Sequence, residues 1–350
     1  MDDVWSRLAN SGKPVALYGM GNGADKILAV FADKGIAASA VFASDGFARG
    51  NLFHGFPVRS YAETASALGD FTVAVAFASS RPEVVANVER IAAERELVVP
   101  DVPVAGGGLF DADFARRHAD ELRAARALFA DPRSREVFDL VCEARLTGCW
   151  QPLMDSADPE DIPGYGLLDL ASYTSFADLG AYTGDTVRAL LPFAPRIENI
   201  VAVEPDRRSF AKLEAFLASL PIQTRAVRAA VSDSDGSLLA FSDGAGRGSS
   251  LSPSGAGVSV PSVTLDSLVA DGRVDFVKFD VEGAESAAIR GSRRTLERCR
   301  PDLRVAVYHR PEDIFAIPLA VRDMLPRHAL FLRRARSFPA WDIDLFAVGS

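Results

Sequence analysis

One short segment contains two glycines and two aspartates. It lies between an apolar run, which is typical of a strand, and a stretch with the pattern of a helix. It reads Asp178-Leu-Gly-Ala-Tyr-Thr-Gly-Asp-Thr186 and is followed by Val187-Arg-Ala-Leu-Leu. Glycine lets the backbone approach a ligand closely at a strand-to-helix turn. The spacing Asp-x-Gly-x-x-x-Gly differs from the Gly-x-Gly-x-x-Gly of dinucleotide-binding turns. We therefore predict that this turn receives the amino-acid end of a cofactor.

Further carboxylates follow two later apolar strands. Glu204 comes directly after Ile200-Val-Ala-Val, and the run from Asp275 ends in Asp280 and Glu282. In open α/β sheets, ligands bind outside the carboxyl ends of the strands, where an acidic residue can accept both ribose hydroxyl hydrogens. A carboxylate-rich rim suits a cofactor with a sulfonium and an ammonium group. Each acidic residue alone also fits a helix start, but their order along successive strands favours a cofactor site.

These residues fall within stretches that resemble the FkbM family of S-adenosylmethionine (SAM) dependent methyltransferases. The matching stretches are Asp178–Thr186, Val203-Glu-Pro-Asp206, Ala230-Val-Ser-Asp233, Thr264-Leu-Asp-Ser-Leu268, Val277–Glu285 and Val307-Tyr-His-Arg-Pro311. The resemblance implies a class I methyltransferase fold, with seven mostly parallel strands and one antiparallel strand near the C-terminal end. It also implies O-methylation, often of hydroxyls on sugars or natural products.

The resemblance and the motifs together predict a set of SAM-binding residues. They are Asp178, Gly180, Tyr182, Gly184, Asp185, Thr186, Glu204, Pro205, Ser232, Asp233 and Asp280. For in-line methyl transfer, a base must remove a hydroxyl proton.

Candidate catalytic residues lie at the same strand ends. Asp280 and His309 are the candidate bases, since both end apolar strands, and His309 has the better ordinary pKa for a base near neutral pH. A histidine packed at a strand end is the alternative for His309. Glu282 is expected to orient the acceptor or to join Asp280 at a divalent metal. The predicted site includes no metal, because two close carboxylates do not define one.

The pattern of strands and helices predicts two α/β units joined by helices. Residues 1–108 form a small Rossmann-like unit in this prediction, 109–147 a helical linker, and 148–350 the methyltransferase domain with a doubly wound sheet. The segment Arg247–Gly257 is rich in serine and glycine. We expect it to be a surface loop or a lid over the acceptor.

The first unit holds a rival glycine turn, Gly19-Met-Gly-Asn-Gly-Ala24, with Asp45 after the next strand. Gly19, Gly21, Gly23 and Asp45 are a candidate second nucleotide site. Asp45-Gly-Phe and His54-Gly-Phe-Pro-Val58 also resemble the small nucleotide-binding domain at the front of some sugar acetyltransferases, which implies nucleotide-sugar recognition. A purely structural role is the alternative. Two other functions therefore stay open: an NAD-dependent oxidoreductase and a non-catalytic nucleotide-binding sensor.

The composition of the chain limits the kinds of partner and the location that can be expected. The 350 residues carry a formal charge of −9, which argues against binding along a nucleic-acid backbone. No apolar run approaches the ~18 residues of a membrane span. The three cysteines form no Cys-x-x-Cys pair, which is typical of reduced thiols in the cytoplasm. We expect a cytoplasmic protein with a small-molecule or saccharide acceptor; the sequence does not indicate its oligomeric state.

Overall fold

The computed structural model describes residues 2–44, 46, 50–160, 162–241 and 258–349. Asp45 and the predicted lid Arg247–Gly257 lie outside these residues. Within the described part of the chain, no helix is both long enough and apolar enough to cross a membrane.

The amino-terminal unit is a six-stranded sheet with helices between its strands. Its strands are β1 Val15–Tyr18, β2 Ala38–Phe42, β3 Leu52–Phe53, β4 Phe56–Arg59, β5 Thr72–Val75 and β6 Leu97–Val98. Its helices are α1 Val4–Asn10, α2 Asn22–Lys34, α3 Tyr61–Leu68 and α4 Pro82–Glu94. The strand order is β3-β4-β2-β1-β5-β6, and all neighbours are parallel except the β3–β4 hairpin. The pattern predicted β1, β2, β5 and β6 but neither the hairpin nor α3.

A helical segment follows, comprising α5 Ala112–Arg117, α6 Ala119–Ala127, α7 Pro132–Thr147 and α8 Trp150–Asp155. The longest helix, α7, has clear ends. The side chain of Asp131 accepts a hydrogen bond from the amide of Ser134 at 2.7 Å, and Pro132 occupies the first turn. Gly148 ends the helix in the left-handed conformation, with φ 67°. These are the residue types that favour helix starts and stops.

The second unit contains a larger sheet and a small one. Its strands are β7 Ser175–Leu179, β8 Asn199–Val203, β9 Gln223–Val227, β10 Ala230–Val231, β11 Leu238–Phe241, β12 Val258–Val263, β13 Phe276–Phe279, β14 Asp302–Ala306, β15 Ala329–Arg334 and β16 Ile343–Val348. Its helices are α9 Asp185–Leu190, α10 Arg207–Leu217, α11 Leu265–Val269, α12 Glu285–Arg290, α13 Arg293–Cys299 and α14 Asp313–Met324.

Seven of these strands form the large sheet, in the order β15-β16-β14-β13-β7-β8-β9. Only β16 runs antiparallel to its neighbours among the described strands of this sheet, which confirms the predicted fold class. The other three strands form a separate sheet, β10-β12-β11, which the pattern did not predict.

The strand order positions the site. From β7 the chain adds β8 and β9 on one side, and β13 and β14 on the other. The reversal creates a crevice at the carboxyl ends of β7 and β13, which is where ligands bind in open α/β sheets. Both strands are fully buried, as expected for central parallel strands covered on both faces.

The two units share a core and a backbone contact. Val73 of the first sheet, Val137 of α7 and Leu345 of the large sheet belong to one continuous cluster of buried residues. Ser79, after β5, exchanges two backbone hydrogen bonds with Phe338, of 2.9 and 3.0 Å. The loop between β5 and α4 therefore lies against the second unit.

We predict that Asp275→Ala lowers the free energy of unfolding by about 2–3 kcal/mol. Despite burial, hydrogen bonds from Arg273, Thr174 and Ser175 hold the pKa of Asp275 at about 2. Since this pKa lies below the unfolded value, the stabilisation is full above pH 4 and is lost as the pH falls toward 2. Urea unfolding at pH 7 and pH 3 measures both effects.

Asp271→Asn, a change at an exposed position, is the control for this prediction. Equal stabilities for Asp275→Ala and the unmodified chain at pH 7 would contradict it.

Candidate active site

A cavity of about 690 Å³ opens at the carboxyl edge of the large sheet. Eight predicted site residues line it: Gly180, Tyr182, Asp185, Thr186, Glu204, Pro205, Asp280 and Glu282. The lining also includes Ala78, Ser79 and Ser80 of the first unit, with Tyr308 and Trp341 of the second. Five predicted residues are absent from the lining: Asp178, Gly184, Ser232, Asp233 and His309.

The two glycines of the turn are tightly packed. Their close neighbours are other residues of the chain, whereas the sequence predicted close approach to a ligand. Gly180 has φ 85°, and a Cβ atom there would lie 1.8 Å from the carbonyl oxygen of Asp280. Gly184 has φ 83°, and its Cβ would lie 2.6 Å from the ring of Phe216. Both positions therefore require glycine for conformation and for space. The turn leads into α9 and leaves Tyr182 at the cavity.

Glu204 is held rigidly at the end of β8. Its Oε2 accepts a hydrogen bond from the amide of Tyr182, and its Oε1 accepts one from the amide of Asp206, both at 2.8 Å. Burial raises the pKa of Glu204 to about 7, although these hydrogen bonds oppose the shift. Each carboxylate oxygen can still accept a second hydrogen bond.

Lys278 lies at the centre of this edge, although the sequence motifs did not identify it as a site residue. Its buried ammonium lies 3.4 Å from Asp178 Oδ1 and 3.3 Å from Asp280 Oδ2, and it donates a 2.7 Å hydrogen bond to the carbonyl of Gly180. The feature that could have identified it is a single lysine within the otherwise apolar strand Phe-Val-Lys-Phe.

In Asp178, Lys278 and Asp280, burial and ion pairing shift the pKa in opposite directions. Burial raises the pKa of Asp178 to about 6, although Lys278 opposes the shift. Burial would lower the pKa of Lys278, but Asp280 and Asp178 raise it above its ordinary value. Burial also acts to raise the pKa of Asp280, but Lys278 and His309 hold it below its usual range. Asp280 is therefore an ionised carboxylate at the cavity.

His309 lies behind the cavity wall among three carboxylates. Its Nδ1 is 2.9 Å from Glu285 Oε1, and its Nε2 is 3.6 Å from Asp280 Oδ1 and 3.4 Å from Glu282 Oε2. Burial disfavours the imidazolium, but these carboxylates raise the pKa of His309 to about 10. Burial also raises the pKa of Glu282 to about 8. Of the two candidate bases, Asp280 alone reaches the cavity.

Ser232 and Asp233 follow β10, a strand of the separate three-stranded sheet. Asp233 forms an ion pair with Arg290 at 2.9 Å on the surface. The cavity is lined instead by the two residues of β10, Ala230 and Val231. A two-residue strand gives no periodic pattern, so the sequence could not separate its lining positions from those just beyond it.

The rival glycine turn packs against the end of β5. A Cβ on Gly23 would lie 2.5 Å from the carbonyl oxygen of Ala76, and one on Gly19 would lie 3.0 Å from the ring of Phe77. Gly21 has open space around it. Packing of α2 on β5 therefore accounts for two of these glycines. A nucleotide at this turn stays a prediction.

The mostly parallel seven-stranded sheet with one antiparallel strand has the arrangement of the class I methyltransferase fold, and the acidic cavity lies at its switch point. Residues 178–335 match the model of the methyltransferase FkbM domain. This part of the chain is therefore similar to the FkbM methyltransferase domain, and the match and the fold together support a SAM-dependent methyltransferase.

Solved structures extend the likeness beyond that domain. The crystal structure of methyltransferase FkbM from Methylobacillus flagellatus aligns with a TM-score of 0.75 and 17% identity, covering 98% of this chain and 92% of that one. It therefore shares the fold of both units.

Other alignments are partial. Fibrillarin of Aeropyrum pernix, in complex with SAM, aligns with a TM-score of 0.34 and 13% identity over 52% of this chain and 69% of its own. A SAM-dependent methyltransferase from Aquifex aeolicus aligns with a TM-score of 0.29 and 10% identity, covering 50% of this chain and 81% of that one. Comparison with curated protein sequences finds no match.

We predict that Lys278→Met lowers the free energy of unfolding by about 3–5 kcal/mol, because it leaves the buried Asp178 without its cation. Urea unfolding measures the loss. The double variant with Asp178→Asn should recover part of it, because the uncompensated charge is removed.

Lys26→Met is the matched control. Lys26 is half-buried and donates to the backbone carbonyls of Pro103 and Val104, so its replacement should cost about 1 kcal/mol. Equal losses for the two lysines would show that the ion pairs of Lys278 contribute little.

Proposed function

We propose that this protein transfers the methyl group of SAM to a hydroxyl oxygen of a small molecule or saccharide. The observation that carries the proposal is the ionised Asp280 carboxylate at a cavity that also borders the glycine turn and Glu204. The lining of one cavity thus contains groups that can bind the cofactor and a carboxylate that can take up a proton.

The cofactor is assigned to the edge formed by the ends of β7, β8 and β13. Glu204 keeps one acceptor position on each oxygen, which suits the two ribose hydroxyls. The backbone from Gly180 to Tyr182 borders the amino-acid end in this assignment. Asp185, Thr186 and Pro205 line the same side.

The acceptor is assigned to the part of the cavity that aromatic and small polar residues line. The rings of Tyr308 and Trp341 lie 6.4 Å apart with an interplanar angle of 28°. Ser79 and Ser80 face the cavity from the first unit. Flat apolar faces beside hydroxyl groups suit a ring that carries hydroxyls, such as a sugar or a polyhydroxylated natural product.

The reaction needs alignment and one proton transfer. The acceptor oxygen attacks the methyl carbon, the carbon–sulfur bond breaks toward the sulfur, and S-adenosylhomocysteine leaves. The hydroxyl proton passes to Asp280, which Lys278 keeps ionised. Holding the oxygen in line with the sulfonium supplies the rest of the rate.

We expect Asp280→Asn to lower kcat about 100-fold or more, because the amide cannot accept the proton. His309→Ala should also lower kcat, since it removes a positive charge beside Asp280. The assay is transfer of a labelled methyl group from SAM to a panel of oligosaccharides and polyhydroxylated natural products.

Glu214→Gln, at an exposed position on α10, is the control for this assay. Full transfer by both active-site variants, with normal binding of S-adenosylhomocysteine, would rule out this assignment. Binding of SAM without transfer to any hydroxyl acceptor would favour a sensor, and binding of NAD alone would favour an oxidoreductase.

We also expect binding of S-adenosylhomocysteine to weaken about tenfold between pH 8 and pH 6. The ribose hydroxyls require the ionised form of Glu204, whose pKa burial raises to about 7 against the hydrogen bonds from the amides of Asp206 and Tyr182. Calorimetric titration across this range measures the change.

Glu204→Gln should bind more weakly at every pH and should lose this dependence. An unchanged affinity for the unmodified protein between pH 6 and pH 8 would contradict the ribose assignment.

A further inference from the structure

Arg304, a residue at the cavity, has a hydrogen-bond donor that the methyl transfer described above does not use. It lies on β14, and its Nη2 donates a 2.7 Å hydrogen bond to Asp344. Its Nε is buried and has no hydrogen-bond partner among the described residues. An arginine carries five N–H donors, and buried donors usually have a partner. Arg304 therefore has a donor available for a ligand.

A second unpartnered donor lies beside this guanidinium. Tyr165 is 8% exposed and lines the same cavity, and its hydroxyl has no partner of normal geometry in the described part of the chain. The guanidinium carbon of Arg304 is 5.9 Å from the centre of the Tyr165 ring. Burial raises the pKa of Tyr165 above its ordinary value, so the hydroxyl keeps its proton and can donate. Together the two side chains suit an anionic oxygen group.

The register of the sheet places this pair close to the glycine turn. Asp178, Lys278 and Arg304 are paired across β7, β13 and β14, so their side chains point to the same face of the sheet. Neighbouring strands lie about 4.8 Å apart, and the row of three residues therefore spans roughly 10 Å. A ligand that starts at the turn after β7 can thus extend over Lys278 to Arg304.

The charges of SAM indicate which of its groups fits here. Its amino-acid end carries an ammonium and a carboxylate, next to the sulfonium. The acidic residues of the cavity suit the two cationic groups, whereas the carboxylate needs a cation. Among the described lining residues, only Lys278 and Arg304 are basic. Lys278 already contacts Asp178, Asp280 and the carbonyl of Gly180, which leaves Arg304 for the carboxylate.

We propose that Arg304 and Tyr165 bind the carboxylate at the amino-acid end of SAM. This assignment rests on the position of the cofactor in the proposed function. The planar fork of an arginine matches the geometry of a carboxylate, and such charge-assisted hydrogen bonds are the stronger kind. Asp344 orients the guanidinium through Nη2, so that Arg304 is held in place before the cofactor binds.

The contact has two consequences for the cofactor. Binding depends on the carboxylate, so that adenosine thioethers without this group bind more weakly than SAM. The far end of the amino-acid chain is also fixed, which helps to hold the methyl carbon in line with the acceptor oxygen.

The test compares two ligands that differ only in the carboxylate. S-adenosylhomocysteine and its decarboxylated analogue are each titrated calorimetrically into the full chain, without an acceptor. We expect the unmodified protein to bind S-adenosylhomocysteine about 30-fold more tightly than the analogue. Arg304→Gln should weaken binding of S-adenosylhomocysteine about 30-fold and that of the analogue less than about threefold. Tyr165→Phe should weaken binding of S-adenosylhomocysteine about fivefold.

Further variants separate binding from folding. Arg304→Gln leaves Asp344 without its cation, so the double variant with Asp344→Asn is measured as well, and Tyr165→Phe keeps the ion pair intact. Arg333→Gln is the matched control, because Arg333 lies on β15 of the same sheet and pairs with Asp131 away from the cavity lining. This control should bind both ligands normally, and circular dichroism checks that each variant is folded.

The assignment is overturned if the unmodified protein binds both ligands equally, or if folded Arg304→Gln and Tyr165→Phe bind S-adenosylhomocysteine normally. Either result would leave the proposed function intact. Normal binding by these variants, with transfer lost only to acceptors that carry a carboxylate, would assign Arg304 to the acceptor instead. Absence of S-adenosylhomocysteine binding by the unmodified protein would overturn both this assignment and the position of the cofactor.

Discussion

The carboxyl ends of β7 and β13 bring Asp178 and Asp280 to one ammonium group, that of Lys278. Two neighbouring carboxylates at a buried sheet edge would repel each other without it. The same ammonium holds the carbonyl of Gly180, and a side chain at that glycine would overlap the backbone of Asp280. The contacts of Lys278 and the packing of Gly180 therefore fix the glycine turn, the relative position of β7 and β13, and the charges of the two aspartates together. Glu204 adds to this edge by holding the amide of Tyr182.

The fold was predictable where the chain carries strong periodic signals. Long buried strands such as β7, and long helices such as α7 with its capping residues, follow directly from residue type. The β3–β4 hairpin was missed because β3 has only two residues and β4 contains Pro57, a residue type that argues against a strand. Helix α3 did have a signal, since Ser60 and Glu63 form a capping box. The separate sheet of β10, β12 and β11 depends on long-range pairing, which local pattern cannot show.

The cavity edge was predictable because its residues follow successive strands in order. Glu204 and Asp280 both line the cavity, and their position at strand ends was visible in the sequence. The orientation of His309 was not, because it depends on Glu285, a helix residue whose burial no local pattern reveals. Nor could the sequence place Ser79 at the cavity, since that contact joins distant parts of the chain.

The pair of backbone hydrogen bonds between Ser79 and Phe338 has a consequence for how such proteins diversify. Backbone bonds persist through changes of side chain, so that the contact survives while neighbouring positions vary. Substitutions at Ala78 and Ser80 can accordingly change the shape of the cavity without disturbing the carboxyl edge of the large sheet. In the proposed function, substitutions in the amino-terminal unit would therefore change acceptor preference separately from methyl-donor binding.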